Sequence, residues 1–369
     1  MAAPVAQKGA PTAAPQVRKV KRAHVKPKDI AVMTRQLATM VGAGIPLVEG
    51  LDILAEQASD RGFRETLDFI VDRIRSGSDF STALAEHPRL FTTIYVNMVR
   101  AGEASGALDV ILNRLADFLE SAEELKREVK SAMTYPVISL LMILSITVGL
   151  IVGIVPKFKD IFTSLGMKDL PPPTAFLMMI SDLMTKNFLS LIVGIVVIFF
   201  AFKFAMRTKM GIRIFHQFAL NVPIFGPLVR KVVISRFTRT FSTLVQSGVP
   251  IVGALEIVAK TSGNVIVEEA VNKARDAVSR GDPLAEPLEA TRVFPAMVTR
   301  MISIGERTGA LEQLLSKISD FYDNEVRTSV KALTSLIEPV MIGVMGFIVG
   351  GIVLAIFMPI MELQSKLTG

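Results

Sequence analysis

Three long stretches without a charged side chain limit what this chain can fold into. Val137–Val155 has 19 residues, Val340–Ile360 has 21, and Phe188–Phe202 has 15. The last stretch reaches 19 if Lys203 extends to the lipid headgroups and the helix ends at Met206. As helices, all three approach the ~30 Å thickness of a hydrocarbon core. The pattern predicts membrane helices at 136–156, 188–206 and 340–360. The alternative for each is a buried helix in a large soluble protein.

Composition excludes several kinds of chemistry. The 369 residues include no cysteine and only three histidines, which are far apart in the sequence. A disulfide framework, a thiolate zinc site, a cysteine nucleophile and iron–sulfur ligation are therefore ruled out. Charged residues make up 20%, below the roughly 25% of soluble domains, as expected of a membrane protein. The net charge of +7 indicates an anionic partner, for which a membrane surface is as good a candidate as nucleic acid.

Basic residues predict the orientation in the membrane. Eight lysines and arginines and no acid lie in Lys203–Arg239, whereas the connection 157–187 has four lysines and three aspartates. Since positive charge beside a span stays in the cytoplasm, we expect a cytoplasmic N-terminus and a cytoplasmic basic linker at 207–236. The connection 157–187 and a C-terminal tail at 361–369 then lie on the far side. Residues 1–28, rich in alanine, proline and basic side chains, are predicted to be disordered.

The chain contains the same domain twice. A shift of 203–204 residues brings several motifs into register in one order. The matched pairs are Gly44-Ile45-Pro46 with Gly248-Val249-Pro250, Gly102-Glu103 with Gly305-Glu306, Gly106 with Gly309, and Pro136 with Pro339. A repeat of about 105 residues is a duplicated domain rather than a solenoid unit. We therefore predict two cytoplasmic domains, at 29–135 and 237–339.

Apolar spacing indicates that each copy is helical. Leu108, Ile111, Leu112, Leu115 and Leu119 fall on one face at helix spacing, and the second copy repeats this after Gly309. Pro46 and Pro250, each two residues past a glycine, are typical of a helix that ends at Gly and another that begins at Pro. We predict bundles of about six helices, with the helix after Gly106 running on into the membrane. The fold class is thus an all-α membrane protein with three transmembrane helices.

Residues that carry chemistry are few. No P-loop, G-x-S-x-G, H-E-x-x-H or EF-hand motif occurs. Glu103 and Glu306 are the best site candidates. In the functional interpretation each is a carboxylate that contacts a partner or forms a weak cation site, and in the other interpretation each is a structural residue. In the structural interpretation Glu sits in the turn before the next helix and pairs with the amides that begin it. Arg35 and Arg239 either contact an acidic partner or lie on a solvated helix face.

Ionisable residues are absent from the first and third apolar stretches. Glu338 and Glu362 flank the third one and need not be buried. A proton relay or ion path normally needs an intramembrane ionisable group, so their absence argues against a pump or transporter.

The order of domain, span, short outer loop, span, second copy and final span resembles the platform proteins of type IV pilus assembly. These form the PilC family, related to the GspF proteins of type II secretion. The resemblance covers roughly Ile30 to Leu363 and rests on Thr34–Met40 with Gly44–Leu47, Phe237–Leu244 with Gly248-Val249-Pro250, Gly305–Gly309, and Leu336–Pro339 with Phe357–Ile360. The candidate partner-contact or structural residues are Arg35, Gly44, Pro46, Gly102, Glu103, Gly106, Pro136, Arg239, Gly248, Pro250, Gly305, Glu306, Gly309, Glu338 and Pro339.

This resemblance implies a non-enzymatic part of a machine in the bacterial inner membrane, with a cytoplasmic N-terminus and a periplasmic C-terminus. Its implied partners are a hexameric assembly or retraction ATPase, pilin subunits, inner-membrane alignment proteins, lipid and further copies of itself, without nucleic acid or cofactor. One alternative is a type II secretion platform, which shares the architecture and differs in cargo. The other is a small-molecule transporter or channel.

Overall fold

The computed structural model describes residues 25–164, 170–223 and 225–368. Residues 1–24, which hold most of the predicted disordered tail, lie outside this range. All regular secondary structure in the described residues is α-helical, which confirms the predicted fold class. The chain divides into two compact units, an N-terminal unit of residues 1–120 and a C-terminal unit of residues 121–369.

The N-terminal unit is a small helical bundle. Its helices are α1 (Pro27–Gly42), α2 (Leu47–Gln57), α3 (Arg61–Arg75), α4 (Phe80–Ala85), α5 (Thr93–Ser105) and the first part of α6 (Leu108–Gly153). Every helix contributes a fully buried side chain to one core, namely Leu37, Leu51, Ile70, Leu84, Met98 and Leu112 in chain order. The apolar stripe of α6 predicted from the sequence supplies part of this core, with Leu112 and Leu115 both fully buried.

Short polar side chains define the helix starts in this bundle. The Asp60 carboxylate accepts a hydrogen bond from the Phe63 amide (2.7 Å) at the start of α3, and Thr92 Oγ1 accepts one from the Tyr95 amide (3.4 Å) at the start of α5. Such caps satisfy amides that have no partner within the helix. Gly106 then ends α5 in the left-handed conformation, at φ 70°.

The C-terminal unit holds the second bundle and the membrane region. Its helices after α6 are α7 (Val155–Ser164), α8 (Pro172–Lys186), α9 (Phe188–Ala205), α10 (Lys209–Asn221), α11 (Phe225–Gln246), α12 (Ile251–Thr261), α13 (Val265–Val278), α14 (Ala285–Ala290), α15 (Ala296–Thr308) and α16 (Leu311–Thr368). Six of them, α11 to α16, repeat the order of α1 to α6, so the predicted count per copy is confirmed. The second core includes Phe237, Phe241, Leu255, Val271, Leu288, Ile302 and Leu315.

Three helices in the described residues are long and apolar enough to cross a membrane. They overlap the predicted spans: the second half of α6, which ends at Gly153, all of α9, which ends at Ala205, and the second half of α16. Almost none of their apolar side chains is buried within the protein, so these surfaces need lipid or other protein around them. α10 and α11 together form a sharply bent fourth candidate by length and apolarity.

The connection after the first span is largely helical. α7 and α8 pack against the end of α6 and against α16 near Ala355, around Val155, Phe162 and Met178, which are buried. Thr174 Oγ1 donates to the Ala355 carbonyl (2.5 Å), and Ser181 Oγ donates to the Ile151 carbonyl (2.8 Å). This small apolar cluster therefore ties the end of the first span to the third.

Two further segments are helical where the sequence analysis treated them as a linker and a tail. The linker at 207–236 contains α10 and the first half of α11, and its boundary at residue 237 falls inside α11. Val233 and Ile234 of that half are buried in the second bundle, so the linker belongs to the domain it was expected to precede. The tail at 361–369 continues α16 to Thr368, and residue 369 lies outside the described range.

Candidate functional site

Glu103 and Glu306 cap short helices within their own bundles. The Glu103 carboxylate accepts hydrogen bonds from the amides of Phe80 (2.5 Å) and Ser81 (3.1 Å), where α4 begins. Glu306 does the same for Leu284 (2.6 Å) and Ala285 (3.1 Å), where α14 begins. A carboxylate at a helix N-terminus satisfies orphan amides and interacts favourably with the helix dipole. The duplicated glutamates therefore have the same structural role.

The expected position of these glutamates was wrong. The sequence analysis placed them in the turn before the next helix, but they lie in the last turn of α5 and α15 and cap a helix about 22 residues earlier in the chain. Each oxygen of the two carboxylates accepts one hydrogen bond from a backbone amide. Across the described residues, no group of three or more His, Asp or Glu side chains is arranged to hold a metal ion.

The two glycines of each Gly-Glu-x-x-Gly motif are required for different steric reasons. A Cβ on Gly102 would stand 3.0 Å from Ile111 Cβ, and one on Gly305 would stand 2.8 Å from Leu311 Cα. Each glycine therefore lets a helix lie directly against the start of the following one. Gly106 and Gly309 adopt φ values of 70° and 71°, the left-handed conformation that ends a helix at low cost. The Gly-Glu-x-x-Gly motif is thus a packing and turn element.

The Gly-x-Pro turns match the predicted helix boundaries. Gly44 and Gly248 adopt φ values of 88° and 79°, and Pro46 and Pro250 are the cap residues from which α2 and α12 begin. The carbonyls of the two prolines accept hydrogen bonds four residues on, from Gly50 (3.0 Å) and Ala254 (2.8 Å). These residues set the angle between consecutive helices.

Arg35 forms an ion pair within the N-terminal unit. Its guanidinium binds Glu120 through two nitrogens (2.9 and 2.7 Å) and also pairs with Asp117, both on α6. These hydrogen bonds lower the pKa of the Glu120 carboxyl and raise that of Arg35. Because the carboxyl pKa is lowered on folding, the pair stabilises the bundle at neutral pH, and that contribution is lost as pH falls through the lowered pKa. Arg35 is thus a half-buried residue that pairs with acids of its own bundle, and these acids are themselves partly exposed.

Arg239 occupies the equivalent position in the second bundle but is more deeply buried. It pairs with Asp323 on α16, whose carboxylate also accepts a hydrogen bond from Ser235 Oγ. The Asp323 side chain is 11% exposed, against 46% for Glu120 at the same repeat position. Within the described parts of the chain, the buried Arg239 Nε has no hydrogen-bond partner. Of the two alternatives, the solvated helix face does not describe Arg239, whose side chain is 23% exposed.

The threonine before each arginine is also internal. Thr34 Oγ1 donates a hydrogen bond to the Ile30 carbonyl (2.7 Å) and lies 3.1 Å from the Tyr95 hydroxyl. Burial raises the pKa of Tyr95 to about 12. Thr238 Oγ1 donates to the Ile234 carbonyl (2.9 Å) in the same manner. The Thr-Arg motif thus joins the first helix of each copy to its own core.

Sequence reasoning missed the polar contacts made by α16. Lys231 of α11 binds Glu325 (2.6 Å) and Ser329 (2.9 Å), while Arg327 binds Glu128 of α6 (2.6 Å). The paired residues are 94 to 199 positions apart in the sequence, so no local sequence pattern predicts these contacts. They attach the part of α16 before its apolar stretch to α11 and to the middle of α6.

The prolines at the start of the apolar stretches lie inside unbroken helices. Pro136 is within α6 and Pro339 within α16, and Glu338 beside the latter is exposed. Proline removes one helix hydrogen bond and favours a kink. This proline occurs at the same position in both copies, where the helical bundle ends and the apolar stretch begins.

Comparison with protein families settles the assignment. The model for "Type II secretion system (T2SS), protein F" matches twice, at residues 33–156 and 237–359. The chain belongs to the type II secretion system protein F family. The two matches begin 204 residues apart, which is the register of the internal repeat. The resemblance to this superfamily inferred from the sequence is confirmed.

Curated relatives of this family come from both pilus and secretion systems. The chain is 44% identical to the type IV pilus assembly protein PilC of Myxococcus xanthus, over 93% of this chain and 82% of the relative. It is 46% identical to PilC of Thermus thermophilus, over 92% and 84%. It is 33% identical to the type II secretion system protein F of Vibrio cholerae, over 92% and 84%.

Proposed function

We propose that this protein is a non-enzymatic inner-membrane platform of a type IV pilus machine. In this role it couples a cytoplasmic hexameric ATPase to the insertion of pilin subunits into the pilus base or their removal from it. The PilC proteins of Myxococcus xanthus and Thermus thermophilus are 44–46% identical to this chain, against 33% for the secretion protein F of Vibrio cholerae, and this difference supports the pilus branch. A type II secretion platform is the second candidate, because that relative matches over the same length.

The observation that carries this proposal is the continuity of α6 and α16. Each helix begins as the last helix of one bundle and runs unbroken into an apolar stretch. With 46 and 58 residues they extend about 69 and 87 Å. Two continuous helices of this kind are suited to carry movement of a cytoplasmic domain into the bilayer. The chain has no P-loop, so in this proposal the energy comes from the ATPase partner.

The exposed apolar surfaces of the three spans fit the remaining proposed partners. Large side chains such as Phe199, Leu354 and Phe357 are more than half exposed on the isolated chain. Pilin subunits, inner-membrane alignment proteins, further copies of this chain and lipid each present apolar surface at that depth. We propose that these molecules share this surface during pilus assembly.

Deletion of the gene in its host separates the two candidates. The proposal predicts loss of surface pili and of pilus-dependent movement, both restored by the wild-type gene supplied on a plasmid. Secreted protein levels should stay unchanged. Normal piliation with loss of secretion into the medium would instead support the secretion platform, and normal behaviour of both would exclude either role.

Cysteine labelling checks the proposed orientation, which the absence of native cysteine makes straightforward. Asn187→Cys, in the connection before α9, should react with a membrane-impermeant maleimide added to intact spheroplasts. Lys260→Cys, exposed on α12, should react only after the membrane is permeabilised, because the positive linker holds this side in the cytoplasm. Labelling in the opposite pattern would contradict the assigned orientation.

A further inference from the structure

A tight turn connects the end of the second span, α9, to the start of α10. Thr208 Oγ1 donates to the Ala205 carbonyl (2.8 Å) and accepts from the Gly211 amide (3.0 Å). A Cβ on Gly211 would stand 2.0 Å from the Ala205 oxygen, so only glycine fits there. Three residues separate α9 from α10, which keeps the start of α10 within about 14 Å of the end of the span.

One face of α10 rests on the second bundle. His216 Nδ1 accepts a hydrogen bond from the Val265 amide (3.1 Å), the first residue of α13. Arg213 forms an ion pair with Glu269 on the same helix (3.2 Å). These contacts fix α10 in rotation about its own axis, and they determine which side chains face away from the bundle.

The opposite face of α10 is apolar and uncovered. Met210, Ile214 and Phe218 recur at intervals of four residues and are 74%, 58% and 66% exposed. Phe215 borders this face and meets Phe202 of the second span edge-on, with ring centroids 5.9 Å apart. The apolar face is therefore continuous with the surface of a membrane helix.

Positive charge surrounds the junction of span and α10. Lys203, Arg207 and Lys209 are exposed there, and the sequence contains no acid between Asp182 and Glu256. A helix with one apolar face and basic flanks is attracted to anionic lipid and lies in the plane of the interface. Both the charge and the continuity with α9 select a bilayer surface as the occupant of the apolar face.

We infer that α10 is an interfacial helix whose Met210, Ile214 and Phe218 enter the headgroup region of an anionic leaflet. Because the other face of α10 holds α13, this contact sets the distance of the second bundle from the membrane. The inference requires that α9 is inserted in the bilayer, and it is independent of the choice between pilus and secretion. It also assigns the bent α10–α11 pair to the surface, since Phe237 and Phe241 of α11 are buried in the bundle.

Nitroxide labels on single cysteines measure this directly in the purified full chain. Met210→Cys, Ile214→Cys and Phe218→Cys are labelled after reconstitution into vesicles of phosphatidylcholine with phosphatidylglycerol. Glu256→Cys, exposed on α12, is the aqueous control, and Ile195→Cys within α9 is the lipid control. Collision rates with lipid-soluble oxygen and with a water-soluble nickel complex are read from power-saturation spectra.

Labels on α10 should collide with nickel about tenfold less than the Glu256 control while remaining accessible to oxygen. The combined variant Lys203→Gln, Arg207→Gln and Lys209→Gln should reduce this protection, and vesicles of phosphatidylcholine alone should do the same. Nickel access equal to the control would overturn the inference. So would shielding from both reagents, which would show a protein covering this face. An Ile195 label in water would show instead that α9 is not inserted, which removes the premise.

Discussion

Replacement of residues 130–133 by glycine is expected to reduce surface pili to less than about a tenth of the wild-type number. These residues lie in the middle of α6, between the bundle core and the apolar stretch, and their side chains are exposed or half-buried. Each glycine costs about 1 kcal/mol relative to alanine in a helix, so the four together cost about 4 kcal/mol in a segment with little packing to hold it. The helix then becomes a flexible joint. Pili are counted after shearing, and the membrane fraction is blotted for the protein.

Alanine at positions 130, 131 and 133, with the native Ala132 kept, is the matched control. It removes the same side chains but keeps the helix, so piliation should stay near the wild-type level while both variants accumulate equally in the membrane. Full piliation in the glycine variant would show that α6 need not be rigid. Loss of pili in both variants would place the requirement in the side chains, which also contradicts coupling through helix continuity.

Features that depend on local pattern were predictable from the sequence. The uncharged stretches predicted three spans, because burying a charge in hydrocarbon is costly and spans therefore lack charged residues. The repeat gave two copies, and the Gly44 and Gly248 turns gave helix ends, because a left-handed backbone position strongly selects glycine. The continuity of α6 with its span followed from the absence of a break between Leu108 and Pro136.

Features that depend on tertiary packing were not predictable. Glu103 caps a helix 22 to 23 residues earlier, and Arg35 pairs with acids 82 to 85 residues later, distances at which spacing carries no signal. Charged residues such as Glu103 and Arg35 therefore have partners within the protein that the sequence did not reveal. The helices at 157–187 and 207–236 were missed because short amphipathic segments obtain most of their stability from packing rather than from propensity.

The Arg239–Asp323 pair gives the largest expected effect on stability. Asp323→Ala should lower the free energy of unfolding by about 3 kcal/mol, because it leaves the guanidinium of Arg239 poorly solvated and without its main counter-charge. Asp320, the other acid near Arg239, is 3.6 Å away and largely exposed, so it cannot replace Asp323 fully. Denaturant unfolding of the full chain in detergent micelles, followed by circular dichroism, measures the change.

The internal repeat supplies the matched control, since Glu120 is the residue equivalent to Asp323. Glu120→Ala should cost no more than about 1 kcal/mol, because the Glu120 side chain is 46% exposed and Arg35 keeps Asp117 and water as partners. Equal losses in the two copies would show that burial does not govern the energy of these pairs. A double variant, Arg239→Met with Asp323→Ala, should recover much of the loss, since the main cost comes from one uncompensated buried charge rather than from the missing attraction.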